Sequence, residues 1–204
     1  RGCECPNIAR LGDKWALILS PFGPVEYFIG DIDFETATFT WEQRGKVDCS
    51  QNFYASNILY DGKDRCLMWG AIEGFSNTIG WNGINSLPRH IWLNEAGDFC
   101  QDIPSEISTL RKGENVTINA LNPKADFESA LLELEAELDT ISGAVITVSQ
   151  CDKVVKIHCR DGKIIAGDYE VLVQSSMCNL RLFIDKSVIE IIVDKRECIS
   201  LVIP

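Results

Sequence analysis

Short apolar runs, broken by turns that carry glycine or aspartate, set the pattern of this chain. Residues 15–20 form one run, closed by Pro21; residues 26–31 form a second, followed by Asp33-Phe34-Glu35-Thr36, a predicted turn. Residues 38–41 alternate between polar and apolar. Residues 56–60 lead into Asp61-Gly62, a hairpin signal, and residues 65–69 run back from it. Short strands joined in this way predict antiparallel meanders, the construction of propeller blades.

A polar stretch with Pro104 and Pro123 separates this half from the next. It places one domain at residues 1–105, a linker region at 106–125 and a second domain at 126–204. In the second domain, Leu132, Leu134, Ala136 and Leu138 alternate strictly with acids. At 100° per residue these apolar groups would scatter around a helix, whereas at 180° they line one face of a strand. The residues are good helix formers, but the period decides for a half-buried strand with its acids in water. Residues 145–148, 154–157 and 168–173 continue the strand pattern, with a turn at Asp161-Gly162. Residues 180–185 and 188–193 are two strands meeting at Lys186-Ser187. The second half reads as a β-sandwich, and the fold class as all-β.

Composition narrows the function classes. A chain of 204 residues, 46% hydrophobic and 24% charged, is an ordinary globular protein of one large or two small domains. A net charge of −11 argues against nucleic acid and anionic membrane surfaces as partners. No run of about 18 apolar residues predicts a membrane span. The chain begins at Arg1 without a methionine or a signal-peptide pattern, as a processed or partial product would. Nine cysteines without a Cys-x-x-Cys pair, and two histidines, predict no zinc site. Cys66, Cys159 and Cys178 sit in apolar runs and are expected as small core residues; disulfides stay open. Asn115-Val116-Thr117 is a glycosylation sequon only in a secreted protein, and the compartment, cytoplasmic or secreted, is not decided.

A series of motifs adds chemistry. Glu4-Cys5-Pro6-Asn7 opens it, followed by residues 28–33 (Phe-Ile-Gly-Asp-Ile-Asp), Asn52-Phe53-Tyr54-Ala55 and Met68-Trp69-Gly70. Residues 81–89, from Trp81 to Arg89, and residues 182–190, from Leu182 to Glu190, complete it. In this order and spacing the set resembles the glycoside hydrolases of family 32, the invertases, fructanases and sucrose-6-phosphate hydrolases, and only their C-terminal part. The resemblance implies the closing blades of a five-bladed β-propeller followed by a β-sandwich. It implies a β-fructofuranosidase that cleaves sucrose or a fructan with retention, and needs no cofactor or metal.

Retaining glycosidases use one carboxyl as acid/base and a second as nucleophile. Glu4 matches the family's general acid/base, and Cys5, Asn52, Tyr54 and Trp81 fall at substrate-binding positions. Trp81 reads either as an aromatic wall for a sugar face or as a structural tryptophan packing a blade; Tyr54 divides in the same way. Arg89 is expected to be structural, with a carboxylate partner. Asp185 and Glu190 are expected in a turn or at the surface. Three departures stand out: Asn52 where the family carries an acid, Ala71 where a second tryptophan is common, and Asn7 in place of aspartate, a mild change.

The family's nucleophile lies in an Asn-Asp-Pro motif and its transition-state-stabilising aspartate in Arg-Asp-Pro, and neither motif occurs in these residues. The chain is therefore expected to be inactive by itself. The alternative is a noncatalytic relative that binds a sugar or a partner. An incomplete propeller exposes an apolar sheet face, which predicts self-association or a partner that covers it.

Overall fold

The computed structural model describes residues 2–75, 80–113, 115–119, 121–127, 129–150 and 152–203. Cys151 lies outside them. The described chain is all-β apart from a short 3-10 helix at Ser105–Leu110, and none of its helices is long and apolar enough to cross a membrane.

The first sheet is a meander of β1 (Glu4–Leu11), β2 (Lys14–Ser20), β3 (Glu26–Asp33) and β4 (Thr38–Lys46). Its alternation puts Ala9, Ala16, Ile18 and Ile29 into a core shared with the second sheet. On the outer face Ile8, Leu17 and Phe28 are register neighbours, and Gly30 pairs with Trp41. Gly30 sits at a register shift where a Cβ would stand 2.0 Å from the Thr40 carbonyl oxygen, so only glycine fits. Asp33 Oδ1 accepts the N–H groups of Glu35 and Thr36, which makes the predicted turn.

The second sheet orders β5 (Phe53–Tyr60), β6 (Cys66–Ile72), β8 (Arg89–Leu93) and β9 (Phe99–Asp102), with the short β7 (Ile84–Asn85) also on β6. A Cβ on Gly70 would stand 2.4 Å from Cζ of the Phe53 ring, so the ring occupies the space that a side chain would need.

The remaining strands form two sheets around one core. One holds β10 (Leu131–Asp139), β15 (Met177–Asp185), β16 (Val188–Val193) and β17 (Glu197–Val202). The other is the meander β11 (Ala144–Gln150), β12 (Lys153–Arg160), β13 (Lys163–Ala166) and β14 (Tyr169–Leu172), inserted between β10 and β15. Leu180, Leu182, Ile189 and Ile191 meet Ile157 and Ile164 between them. Cys66, Cys159 and Cys178 are buried in the two large cores.

The strand β16 is buried at every position. Ile189, Ile191 and Val193 face the core between the last two sheets, Val188 reaches the first core, and Ile192 packs with Ile103, Phe183 and Cys198. The sheet containing β16 is thus covered on both faces, the reason its sequence is a continuous apolar run rather than an alternation. Glu190 lies within this run and is buried, contrary to the surface position expected for it. The alternation of residues 132–138 does form a strand, but its acids are not all in water. Glu133 is largely covered because Arg111 and Arg181 both close on its carboxylate.

Candidate active site

Two strand irregularities build the region around Glu4. In β1 the register with β2 shifts between Glu4 and Asn7, and Cys5 takes a φ of +46°. In β5 the register with β6 shifts between Tyr54 and Asn57, and Ala55 takes a φ of +47°. Such bulges re-aim side chains and hold residues in costly backbone conformations only where neighbours fix them. Asn7 does the fixing. Its Nδ2 donates to the Cys5 carbonyl at 2.9 Å and to the Ser56 carbonyl at 2.8 Å, one amide hydrogen to each bulge. An aspartate carboxylate has no hydrogen to donate, so asparagine at this position is not a mild change.

The bulges bring Tyr54 to Glu4. The Tyr54 hydroxyl lies 3.1 Å from Glu4 Oε2 and 3.2 Å from the Ser20 carbonyl oxygen, and it accepts the Phe22 N–H at 3.3 Å. A phenol has one proton to give. Tyr54 can donate its hydrogen bond to an ionised Glu4, or donate it to the Ser20 carbonyl and accept a hydrogen bond from a neutral Glu4. Partial burial, and next the Glu4 hydrogen bond, hold the Tyr54 phenol above its ordinary value.

Asn52 occupies a neighbouring place. Its Nδ2 donates to the Glu73 carbonyl at 2.8 Å, and its Oδ1 is 3.5 Å from the Tyr169 hydroxyl. Trp81 stands 44% exposed, tilted against Phe75 with ring centroids 4.7 Å apart. Cys5 is exposed beside Glu4. Direct contact thus joins Glu4 with Tyr54, and the Asn7 bridge ties Cys5 to the strand carrying Tyr54. Asn52 and Trp81 make their contacts elsewhere, Asn52 at Glu73 and Tyr169 and Trp81 at Phe75. A cleft of about 840 Å³ between the second sheet, the 3-10 helix and β10 and β15 is lined by His90, Trp92, Arg111 and Arg181, but by none of the five sequence-predicted site residues.

Beneath the site lies a buried polar junction. The Arg89 guanidinium, 1% exposed, pairs with Asp48 at 2.9 Å and Glu190 at 3.2 Å, which are 0% and 5% exposed. It also donates to Ser200 Oγ at 3.0 Å and stacks 4.2 Å over the Phe53 ring. Asp48 Oδ1 accepts the N–H and hydroxyl of Ser50, and Ser50 Oγ accepts the Asn52 N–H. The loop that starts β5, and so the setting of Tyr54, is therefore braced by β8, β16 and β17. Arg89 has the carboxylate partner expected of it, and a second one. Asp48 went unread in the sequence. Its signal was an aspartate two residues before a serine between strand-like runs, the pattern of an Asx turn.

The chain is similar to known proteins in sequence and in fold. The model of the glycosyl hydrolases family 32 N-terminal domain matches residues 1–102. A rice β-fructofuranosidase, insoluble isoenzyme 6 (Oryza sativa subsp. japonica), is 29% identical over 133 residues, which are 57% of this chain and 21% of the relative. A sucrose-6-phosphate hydrolase from Lactobacillus gasseri superposes with a TM-score of 0.84 at 19% identity, over 98% of this chain and 49% of that one. A Bombyx mori β-fructofuranosidase mutant in complex with sucrose superposes at 0.72 with 21% identity, over 98% of this chain and 49% of that one. The chain thus spans about a fifth of the curated relative and half of the solved structures. The family match puts this all-β chain in the class of the glycosidases. It belongs to glycosyl hydrolase family 32.

Proposed function

We propose that these residues are the part of a β-fructofuranosidase that supplies the general acid/base, Glu4, to the cleavage of a terminal β-fructosyl bond in sucrose or a fructan. The contact between Glu4 and the Tyr54 hydroxyl at 3.1 Å carries this reading. In a retaining reaction the acid/base must give a proton to the leaving oxygen and later take one from water. Tyr54 serves both states: it donates to the carboxylate, and it turns to the Ser20 carbonyl when Glu4 is protonated. Cys5 borders the same strand edge, and Asn52 and Trp81 offer a polar group and an aromatic face to the sugar. The Bombyx mori relative solved with sucrose supports a carbohydrate as the ligand.

The nucleophile comes from a segment outside residues 1–204. In this reading the first two sheets are closing blades of a five-bladed propeller, residues 106–125 the linker, and residues 126–204 a β-sandwich. The family match of residues 1–102 to the N-terminal domain, and facing sheets with their own cores, support that division. The open face of the first sheet, with Ile8, Phe34 and Trp41 exposed, is where a preceding blade, a second copy or a partner packs. The absence of both aspartate motifs, and Asn52 in place of an acid, favour a second reading, a noncatalytic sugar- or partner-binding relative.

The stereochemistry tests the enzymatic reading. Proton NMR during sucrose hydrolysis by the full gene product is expected to show β-fructofuranose as the first sugar released. First release of the α-anomer would exclude a retaining mechanism, and no release at all would favour the binding protein.

A further inference from the structure

Cys159 on β12 and Cys178 on β15 stand in opposite sheets, and both point into the core between them, 1% and 0% exposed. Facing sheets ordinarily stand about 10 Å apart, too far for two cysteines to join. Here the chain passes from β10 to β11 through residues 140–143 alone, so the two sheets meet at the end where both cysteines lie. The crossing is pinned on both sides: the Thr140 N–H donates to the Ser176 carbonyl at 2.9 Å, and the Gly162 N–H to the Thr140 carbonyl at 3.3 Å. Leu138, just before the crossing, is the register partner of Cys178, and Ala144, just after it, is the partner of Cys159. The Cys159 thiol reaches across to the Asp139 carbonyl at 3.8 Å, next to Leu138, the register partner of Cys178, and both thiols are free in this structure. Another neighbouring pair is differently arranged. Cys49 and Cys198 share a backbone hydrogen bond, but the Cys49 thiol is turned to Glu197 at 3.7 Å.

We propose that Cys159 and Cys178 form a disulfide that locks the two sheets of the second half together when the chain folds with a disulfide donor such as oxidised glutathione. One cysteine thiolate attacks the donor disulfide, forms a mixed disulfide and expels one donor thiolate. The second cysteine thiolate attacks the protein sulfur of that mixed disulfide and expels the other. The two protein thiols are oxidised, the donor disulfide is reduced to two thiols, and the two protons lost by the cysteines end on them. Burial pushes both thiols up, Cys178 to about 12, so exchange belongs to the folding chain, before the sheets close.

The test is to refold the full chain in a buffer of reduced and oxidised glutathione, block free thiols and digest with trypsin without reduction. Cleavage after Arg160 and Lys163 separates the two cysteines, so a bond between them appears as a cross-linked peptide pair by mass spectrometry. The expected result is that pair, with a melting temperature about 6–12 °C above the same protein after reductant. Recovery of both cysteines in blocked form, or of either one joined to another cysteine, would overturn the proposal. Cys159→Ser should abolish the redox-dependent shift; if that variant does not fold, the peptide map of the unaltered chain decides alone.

Discussion

Arg89 and Glu190 stand 101 residues apart in the chain and meet at 3.2 Å inside it. With Asp48 they make a junction of one cation and two carboxylates, closed off from water on every side. Removing the cation leaves buried acids without a counter-charge. Arg89→Met is expected to cost about 3–5 kcal/mol in urea unfolding. Glu190→Gln leaves the Arg89–Asp48 pair intact and is expected to cost only about 1 kcal/mol. Equal losses in the two variants would mean that Asp48 does not balance Arg89.

The same variant has a pH signature. Burial raises the Glu190 carboxyl above its ordinary value, against the pull of Arg89. A carboxyl raised in the folded state binds its proton more tightly there than in the unfolded chain. Its contribution is therefore present below the ordinary carboxylate range and declines as pH climbs through the folded value. Glu190→Gln should cost most in acid and least near neutral pH. Glu133 is the opposite case. Hydrogen bonds from Arg111, and then Arg181, hold it below its ordinary value, so its contribution is present at neutral pH and lost as pH falls through the lowered value. Glu133→Gln is expected to cost about 1–2 kcal/mol at pH 7 and nothing in strong acid, read from urea unfolding across pH.

Asn7 spends both amide hydrogens on the two bulges. Asn7→Asp keeps the shape and removes both donors, leaving the Cys5 and Ser56 carbonyls facing a carboxylate. The expected loss is about 1–3 kcal/mol by thermal or urea unfolding. A variant as stable as the parent would show that the bulges hold without the bridge.

The outer face of the first sheet predicts behaviour in solution. Ile8 and Trp41 lie 53% and 50% exposed on a sheet whose other face is core. The isolated chain is expected to self-associate in sedimentation velocity, and Ile8→Lys with Trp41→Lys to shift it toward monomer. A monodisperse parent chain would remove the case for a covered face.

The parts of this fold that were readable from the sequence are those where one face of a strand meets water. The alternation at residues 132–138 gave that strand directly, the apolar run closed by Pro21 gave β2, and Asp33 marked its own turn. The strand β1 was not readable, because Pro6 and the bulge interrupt its period. The run in β16 was readable as a strand, but the burial of Glu190 was not, since it depends on Arg89 from the other half of the chain. The site divides similarly. Glu4 and Tyr54 stood out through motifs, whereas their meeting depends on two bulges in strands 50 residues apart, which no periodicity records. The double role of Asn7 and the pairing of Asp48 with Arg89 became visible only with the contacts.

The most direct measurement is fructose release from sucrose by the full-length gene product, unaltered and with Glu4→Gln, beside residues 1–204 alone. Loss of a general acid/base is expected to slow release by about 10²–10⁴-fold, and the 204-residue chain should release none. Release unchanged by Glu4→Gln would contradict the role assigned to Glu4, and Glu4-dependent release by residues 1–204 would contradict a nucleophile lying outside them.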